Sequence, residues 1–182
     1  MAYIRGKTTA NTFVYLWIGA RHMLEMAKAS EEGQLYTSLS ALVLTAFMVE
    51  AYLNHLGKLK HEDWDSVERK KSKKKKLCEF ATAAGVDLAE RPCKSVTILF
   101  EFRDSMAHGK TVTEEIDVEV ADATFISTSN PRAEWQSFAT VAMAEELLAD
   151  AVEVVRQLHR GSGYDEDPFI SGGHDSYVLS RA

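Results

Sequence analysis

The sequence predicts an all-α fold, a bundle of four to five helices with a small extended segment or hairpin before the last long helix. Three observations predict it. Apolar residues recur at spacings of three and four over long stretches, and glycines and prolines stand at the breaks between those stretches. The chain of 182 residues is 46% hydrophobic, which is enough for one core. No internal repeat or linker divides it, so we expect a single domain, 1–182, with a helical core over about 9–160.

Five segments carry the helical pattern. We predict helices over 9–29, 35–59, a cationic stretch that leads to Ala84, a stretch from Pro92 to Gly109, and 132–160. Gly57 and Gly85 end the second and third helices. Pro92 suits the first turn of the fourth, and Gly109 is a natural C-terminal cap for it.

Two segments depart from helical periodicity. Between Val112 and Val120, apolar residues alternate with polar ones, which predicts an extended segment or a small hairpin. After residue 160 the helical pattern stops, and we expect 161–182 to form an extended tail whose position the pattern does not indicate.

The segment 35–59 is the strongest helical signal in the chain, and its apolar stripe predicts the central buried helix. A second stripe on the same helix ends in Glu50 and Asn54. Two interpretations of these polar residues stay open. In the first, they contact and support the residues of a functional site that lies on another helix. In the second, they are ordinary residues of a helix surface or a dimer contact.

Charge is unevenly distributed along the chain. The net charge is −6, yet the segment 58–76 holds nine Lys and Arg against four Asp and Glu. Its core is a basic block of seven cations in eight positions: Arg69, Lys70, Lys71, Lys73, Lys74, Lys75 and Lys76. Such a block is most often a solvated face and less often a surface that binds phosphates.

Several classes of site are not indicated. Cys78 and Cys93 are far apart and form no metal or redox motif, which is typical of reduced thiols in a cytoplasmic protein. The apolar run over 13–20 is too short for a membrane span, so we expect no membrane partner. The histidines share no metal-ligand spacing and no glycine-rich phosphate loop is present, so neither a metal nor a cofactor is expected.

The stretch 102–109, Phe-Arg-Asp-Ser-Met-Ala-His-Gly, carries the candidate chemistry. Arg103 and His108 are separated by about 140° around a helix and do not share a face. Asp104 and His108 are four residues apart, so we expect the Asp104 carboxylate to hydrogen-bond the imidazole. A histidine at a helix C-terminus beside a carboxylate suits general acid and base chemistry near neutral pH. The alternative is that Arg103 and His108 cap the helix end or pair with a neighbouring acid such as Glu101.

The segment from Arg103 to His108 resembles the R-x4-H motif of the HEPN superfamily. The segment 49–57, Val-Glu-Ala-Tyr-Leu-Asn-His-Leu-Gly, is similar to the central helix of several HEPN groups. The resemblance spans about 9–160, and these two segments are its specific parts. It implies a metal-independent endoribonuclease, commonly a homodimer whose two motifs meet at the subunit interface. It also suggests that the chain is a toxin or a defence effector.

The resemblance also implies roles for individual residues. Arg103 would bind the scissile phosphate, and His108 would act on the ribose 2′-OH or the leaving oxygen. Asp104 stands where the superfamily often has Asn. The position two residues after the histidine is Lys110 rather than the tyrosine of some toxins, so control by a partner nucleotidyltransferase is not supported.

The partners that follow are RNA, a second copy of the chain, and an antitoxin or other partner protein, with the basic block as the surface for RNA phosphates. The rival hypothesis from another class is a non-catalytic HEPN-like dimeric module that holds a protein or a nucleic acid.

Overall fold

The computed structural model describes residues 2–111, 113 and 133–181, with the backbone alone for 2–5, 175 and 177–181. The elements in chain order are β1 Ala2–Ala10, α1 Thr12–Ala29, α2 Gln34–Lys60, α3 Trp64–Val67, α4 Lys73–Ala84, α5 Cys93–Ala107, α6 Glu134–Phe138, α7 Val141–Gly161 and β2 Gly173–Arg181. The all-α bundle is confirmed. In this part of the chain five helices are 12 residues or longer, namely α1, α2, α4, α5 and α7.

Helix α2 is the centre of the bundle, as the sequence predicts. It packs against α1, α4, α5 and α7, and its stripe from Leu42 through Val49 and Leu53 to Leu56 is fully buried. By length and composition alone α2 is also apolar enough to cross a membrane, a property that it shares with the core helices of soluble bundles. The burial of this stripe against four other helices accounts for its apolar composition.

The two ends of the described chain pair with each other. Strands β1 and β2 form an antiparallel ribbon that runs from Ala2 opposite Arg181 to Ala10 opposite Gly173. Within the predicted tail, residues 173–181 form the strand β2, whereas the strand β1 was not predicted and α1 begins at Thr12 rather than at residue 9. Strand β1 is explained by a partner strand 163 to 179 residues away along the chain, which local periodicity does not reveal.

The last helix is divided into two. The sequence predicts one helix over 132–160, whereas α6 ends at Phe138 and α7 starts at Val141. The Thr140 side chain accepts a hydrogen bond from the Met143 N–H at 3.2 Å and caps a new helix there. The hairpin predicted over 112–120 lies, except for Thr113, outside the described residues.

Candidate functional site

The candidate motif lies at the C-terminal end of α5. The helix ends at Ala107, and His108 follows it as the capping residue, with its N–H bonded to the Asp104 carbonyl oxygen at 3.0 Å. Gly109 does not adopt a positive φ, so the expected left-handed glycine cap is absent. The His108 side chain is exposed and its ring has no hydrogen-bond partner among the described residues.

Arg103 is held by two carboxylates from different helices. Its Nη2 lies 3.3 Å from Glu50 Oε2 on α2, and its Nη1 donates to Asp104 Oδ1 at 3.0 Å. The guanidinium carbon lies 5.1 Å from the centre of the Phe47 ring, also on α2. About a quarter of the Arg103 side chain is exposed. Helix α2 therefore fixes the position of this arginine, and the guanidinium keeps an open side.

Asp104 does not make the contact that the sequence predicts. Its two carboxylate oxygens accept hydrogen bonds from Lys73 Nζ at 2.6 and 2.7 Å, and one of them also accepts from Arg103. The expected hydrogen bond between the Asp104 and His108 side chains is absent. The reason is tertiary, because α4 places the ammonium of Lys73, 12% exposed, against the carboxylate, and a charge-assisted bond in a half-buried place is strong. The hydrogen bonds from Lys73 and then from Arg103 hold the pKa of Asp104 below its usual value.

The basic block divides into two groups. Four lysines have polar partners within the chain: Lys71 with Glu79, Lys73 with Asp104, Lys74 with Glu101 and Lys76 with Asn54. Arg69, Lys70 and Lys75 are exposed and have no such partner in the described residues. The uniform seven-cation surface that the sequence predicts is thus reduced to three free cations. The alternative pairing of Arg103 or His108 with Glu101 is not formed, since Glu101 pairs with Lys74 at 2.7 Å.

A buried tryptophan anchors this segment to α2. Trp64 is 1% exposed and lies so close to Gly57 that a Cβ added there would be 2.1 Å from the indole ring. The Lys71 and Lys76 ammonium groups lie 5.8 and 5.7 Å from the ring centre. Only glycine fits at position 57, and the contact brings the start of α4 over the end of α2.

Glu50 and Asn54 both contact cations of the site. Glu50 pairs with Arg103, and Asn54 Oδ1 accepts from Lys76 Nζ at 2.6 Å. Sequence reasoning missed the inward role of Lys73 and Lys76. A signal was present, because these positions continue at helical spacing into the buried Leu77 and Phe80.

A second polar group, called here the histidine cluster, consists of Tyr52, His55 and His159. Tyr52 is fully buried and its hydroxyl lies 3.1 Å from His159 Nδ1. His159 stacks on Tyr164, with ring centres 5.0 Å apart. Burial lowers the pKa of both histidines and raises that of Tyr52. His55 and His159 line a pocket of about 220 Å³ that also includes Asp167.

In the described ranges, no group of three or more His, Cys, Asp or Glu side chains is arranged to hold a metal ion. Comparison of the chain with protein-family models, with curated proteins and with solved structures finds no match. The HEPN resemblance therefore stays a prediction, and it rests on the segments 49–57 and 103–108.

Proposed function

We propose that this chain is a metal-independent endoribonuclease of the HEPN type that works as a homodimer, with Arg103 and His108 as its catalytic residues. One observation carries the proposal. Arg103 is fixed from two helices at the end of α5, where the solvent-exposed His108 follows and the basic block packs alongside.

Arg103 is suited to bind a phosphate without rearranging its side chain. A guanidinium has five N–H donors, and Glu50 and Asp104 engage two of them. The remaining donors are available to a phosphate oxygen at the open side. The two carboxylates also hold the planar group in one orientation, which lowers the cost of ordering it when substrate binds.

His108 supplies the proton transfers. As a base, it takes the proton of the ribose 2′-OH while the 2′-oxygen attacks the adjacent phosphorus and the bond from phosphorus to the 5′-oxygen breaks. A protonated imidazole gives a proton to that leaving oxygen. The products are a 2′,3′-cyclic phosphate and a 5′-OH end. The exposed ring, free of internal partners, can reach a substrate.

Dimerisation joins the two groups. At ideal helical spacing, Arg103 and the capping residue His108 are about 140° apart around the axis of α5. A two-fold axis that places two α5 ends together lets Arg103 of one protomer act beside His108 of the other and supplies two imidazoles, one as base and one as acid.

The three free cations support the binding of RNA phosphates. We expect the triple change of Arg69, Lys70 and Lys75 to Ala to weaken single-stranded RNA binding and to flatten its dependence on salt, by about 0.7 in slope for each lost contact. Changing Lys74 to Ala, which is paired with Glu101, is the control and is expected to leave the slope nearly unchanged. An equal fall in slope for both variants would show that internal pairing does not select the binding cations.

One observation favours a second candidate, a non-catalytic dimeric module. Arg103 and Lys73 are balanced by Glu50 and Asp104, so a phosphate competes with two carboxylates for the arginine. In such a module the same face binds a protein or a nucleic acid without cleaving it.

The decisive experiment mixes the purified chain with single-stranded RNA in EDTA and analyses the product ends. We expect cleavage that leaves a cyclic phosphate, and a loss of at least about 100-fold in Arg103→Ala and in His108→Ala. The matched controls are Arg21→Ala and His22→Ala, an adjacent exposed pair on α1 whose loss leaves the rate unchanged.

Cleavage that persists in the Arg103 and His108 variants would assign the activity to a contaminant or to another site. Binding of RNA without any cleavage would establish the non-catalytic module instead.

A further inference from the structure

An aromatic pocket of about 240 Å³ lies between α5 and α6. Phe102 and Phe138 stack in it with ring centres 4.6 Å apart and planes 24° from parallel, and Trp135 and Ile98 complete its apolar lining. Phe102 is 6% exposed, whereas Trp135 and Phe138 are half-buried. Flat aromatic rings that are partly open to solvent provide surfaces on which a planar ligand can stack.

Two carboxylates border this aromatic pocket. Glu101 and Glu134 line it, and both are exposed. Glu101 pairs with Lys74, but the Glu134 carboxylate has no hydrogen-bond partner among the described residues. An ionised carboxylate only accepts hydrogen bonds, so Glu134 selects a ligand that offers donors.

Helical spacing places the aromatic pocket and His108 on the same side of α5. Glu101, Ser105 and His108 follow one another at spacings of four and three, which puts them in line along one face of the helix and its cap. Glu101 and Ser105 line the pocket, and His108 is the next position along that line. A nucleotide whose base fills the pocket therefore has its ribose on the side of the catalytic imidazole.

We propose that the aromatic pocket binds a guanine base of single-stranded RNA and makes the enzyme cut at the phosphate that follows guanosine. This inference rests on the proposed function. Guanine carries two adjacent donors, N1–H and the 2-amino group, which match the two oxygens of one carboxylate. Cytosine, adenine and uracil each offer a single donor group on the Watson–Crick edge. Stacking on Trp135 and Phe138 supplies affinity, and Glu134 supplies the selection.

The test measures equilibrium binding of four nucleoside 5′-monophosphates and of inosine 5′-monophosphate to the full chain. We expect guanosine monophosphate to bind most tightly. Inosine lacks the 2-amino group and is expected to bind about tenfold more weakly. Glu134→Gln is expected to remove most of the difference in affinity between guanosine and inosine monophosphates. Its control is Glu62→Gln, at an exposed acid before α3. Trp135→Ala is expected to weaken the binding of every nucleotide by about tenfold. Its control is Tyr36→Ala, at an exposed aromatic residue.

Cleavage of oligouridine that holds one guanosine, inosine or adenosine separates this inference from the proposed function. Cleavage without preference for guanosine, or binding that Glu134→Gln leaves unchanged, overturns the guanine pocket while the endoribonuclease stands. Selective guanosine monophosphate binding that is lost in Glu134→Gln supports the pocket even where no RNA is cut, and in that case the proposed cleavage fails.

Discussion

The central helix α2 carries two polar regions, and they accommodate polar groups in opposite ways. The first is the charged cluster of Glu50, Arg103, Asp104 and Lys73, which is half-exposed and balances ion against ion. In the histidine cluster, Tyr52 and His159 are buried and joined by a hydrogen bond, and His55 lies partly buried beside them. The ions of the charged cluster keep contact with water, because burial of an ion costs more than its partner returns, whereas hydroxyl and imidazole groups, which have an uncharged form, can be accommodated in the core.

The difference between the two regions assigns them different tasks. The charged cluster stays open to solvent and Arg103 keeps N–H donors that Glu50 and Asp104 do not engage, which is what the proposed phosphate binding requires. The Tyr52 hydroxyl has no access to water, so the contact with His159 can be broken only at the cost of an unsatisfied buried group. We therefore expect the charged cluster to govern function and the histidine cluster to govern stability.

The largest expected effect is on the histidine cluster. His159→Ala removes a buried ring and leaves the Tyr52 hydroxyl without its partner, so we expect the free energy of unfolding to fall by about 2–4 kcal/mol. Urea unfolding measures it. His22→Ala, at an exposed position on α1, is the control and is expected to change stability by less than about 0.5 kcal/mol. Similar values for the two variants would show that the cluster is not a structural element.

A smaller effect concerns pH. Burial lowers the pKa of His159 against the opposing influence of Asp167 and Glu166, and it lowers that of His55 with a further contribution from His159. As the pH falls, these two histidines therefore bind protons at a higher pH in the unfolded chain than in the folded chain. The stability from these groups is fully present above about pH 6.5 and is lost as the pH falls below it. Unfolding of the wild type at pH 7.5, 6.5 and 5.5 tests this, and His159→Gln is expected to have a flatter profile.

The charged cluster is expected to respond in a different pH window. Because Lys73 and Arg103 lower the pKa of Asp104, its contribution is present above about pH 3.9 and is lost as the pH falls through more acidic values. Asp104→Asn removes this dependence. Unfolding measured between pH 5 and 3 compares the variant with the wild type, and a variant that loses stability in parallel with the wild type would contradict the assignment.

The smallest effects are those of single lysines. Lys73→Met is expected to cost about 0.2–1 kcal/mol, since the pair with Asp104 is half-exposed. Lys74→Ala breaks the more exposed pair with Glu101 and is expected to cost less than about 0.5 kcal/mol. Urea unfolding at low and high salt ranks the two. A larger loss of stability in Lys74→Ala than in Lys73→Met would contradict the expectation that the more buried ion pair contributes more.

Local pattern was enough for much of the fold. The predicted bounds 35–59 and the observed Gln34–Lys60 agree because one helix carries a long stripe of Leu, Ala and Val, although Gly57, predicted to end it, lies inside the helix. Gly85, which the sequence predicts as the end of the third helix, caps α4 in the left-handed conformation. The strand β1 could not be predicted in this way, since its hydrogen bonds go to a segment at the other end of the chain.

The sequence by itself determined the helical class, the central helix and the placement of Arg103, Asp104 and His108 at one helix end. Those properties depend on spacing within a helix. Only the tertiary structure decided which groups meet: Asp104 binds Lys73 rather than His108, Glu50 holds Arg103, and α6 closes an aromatic pocket beside the motif. The physical reason is that side-chain partners across helices depend on packing angles and burial, which no local spacing encodes.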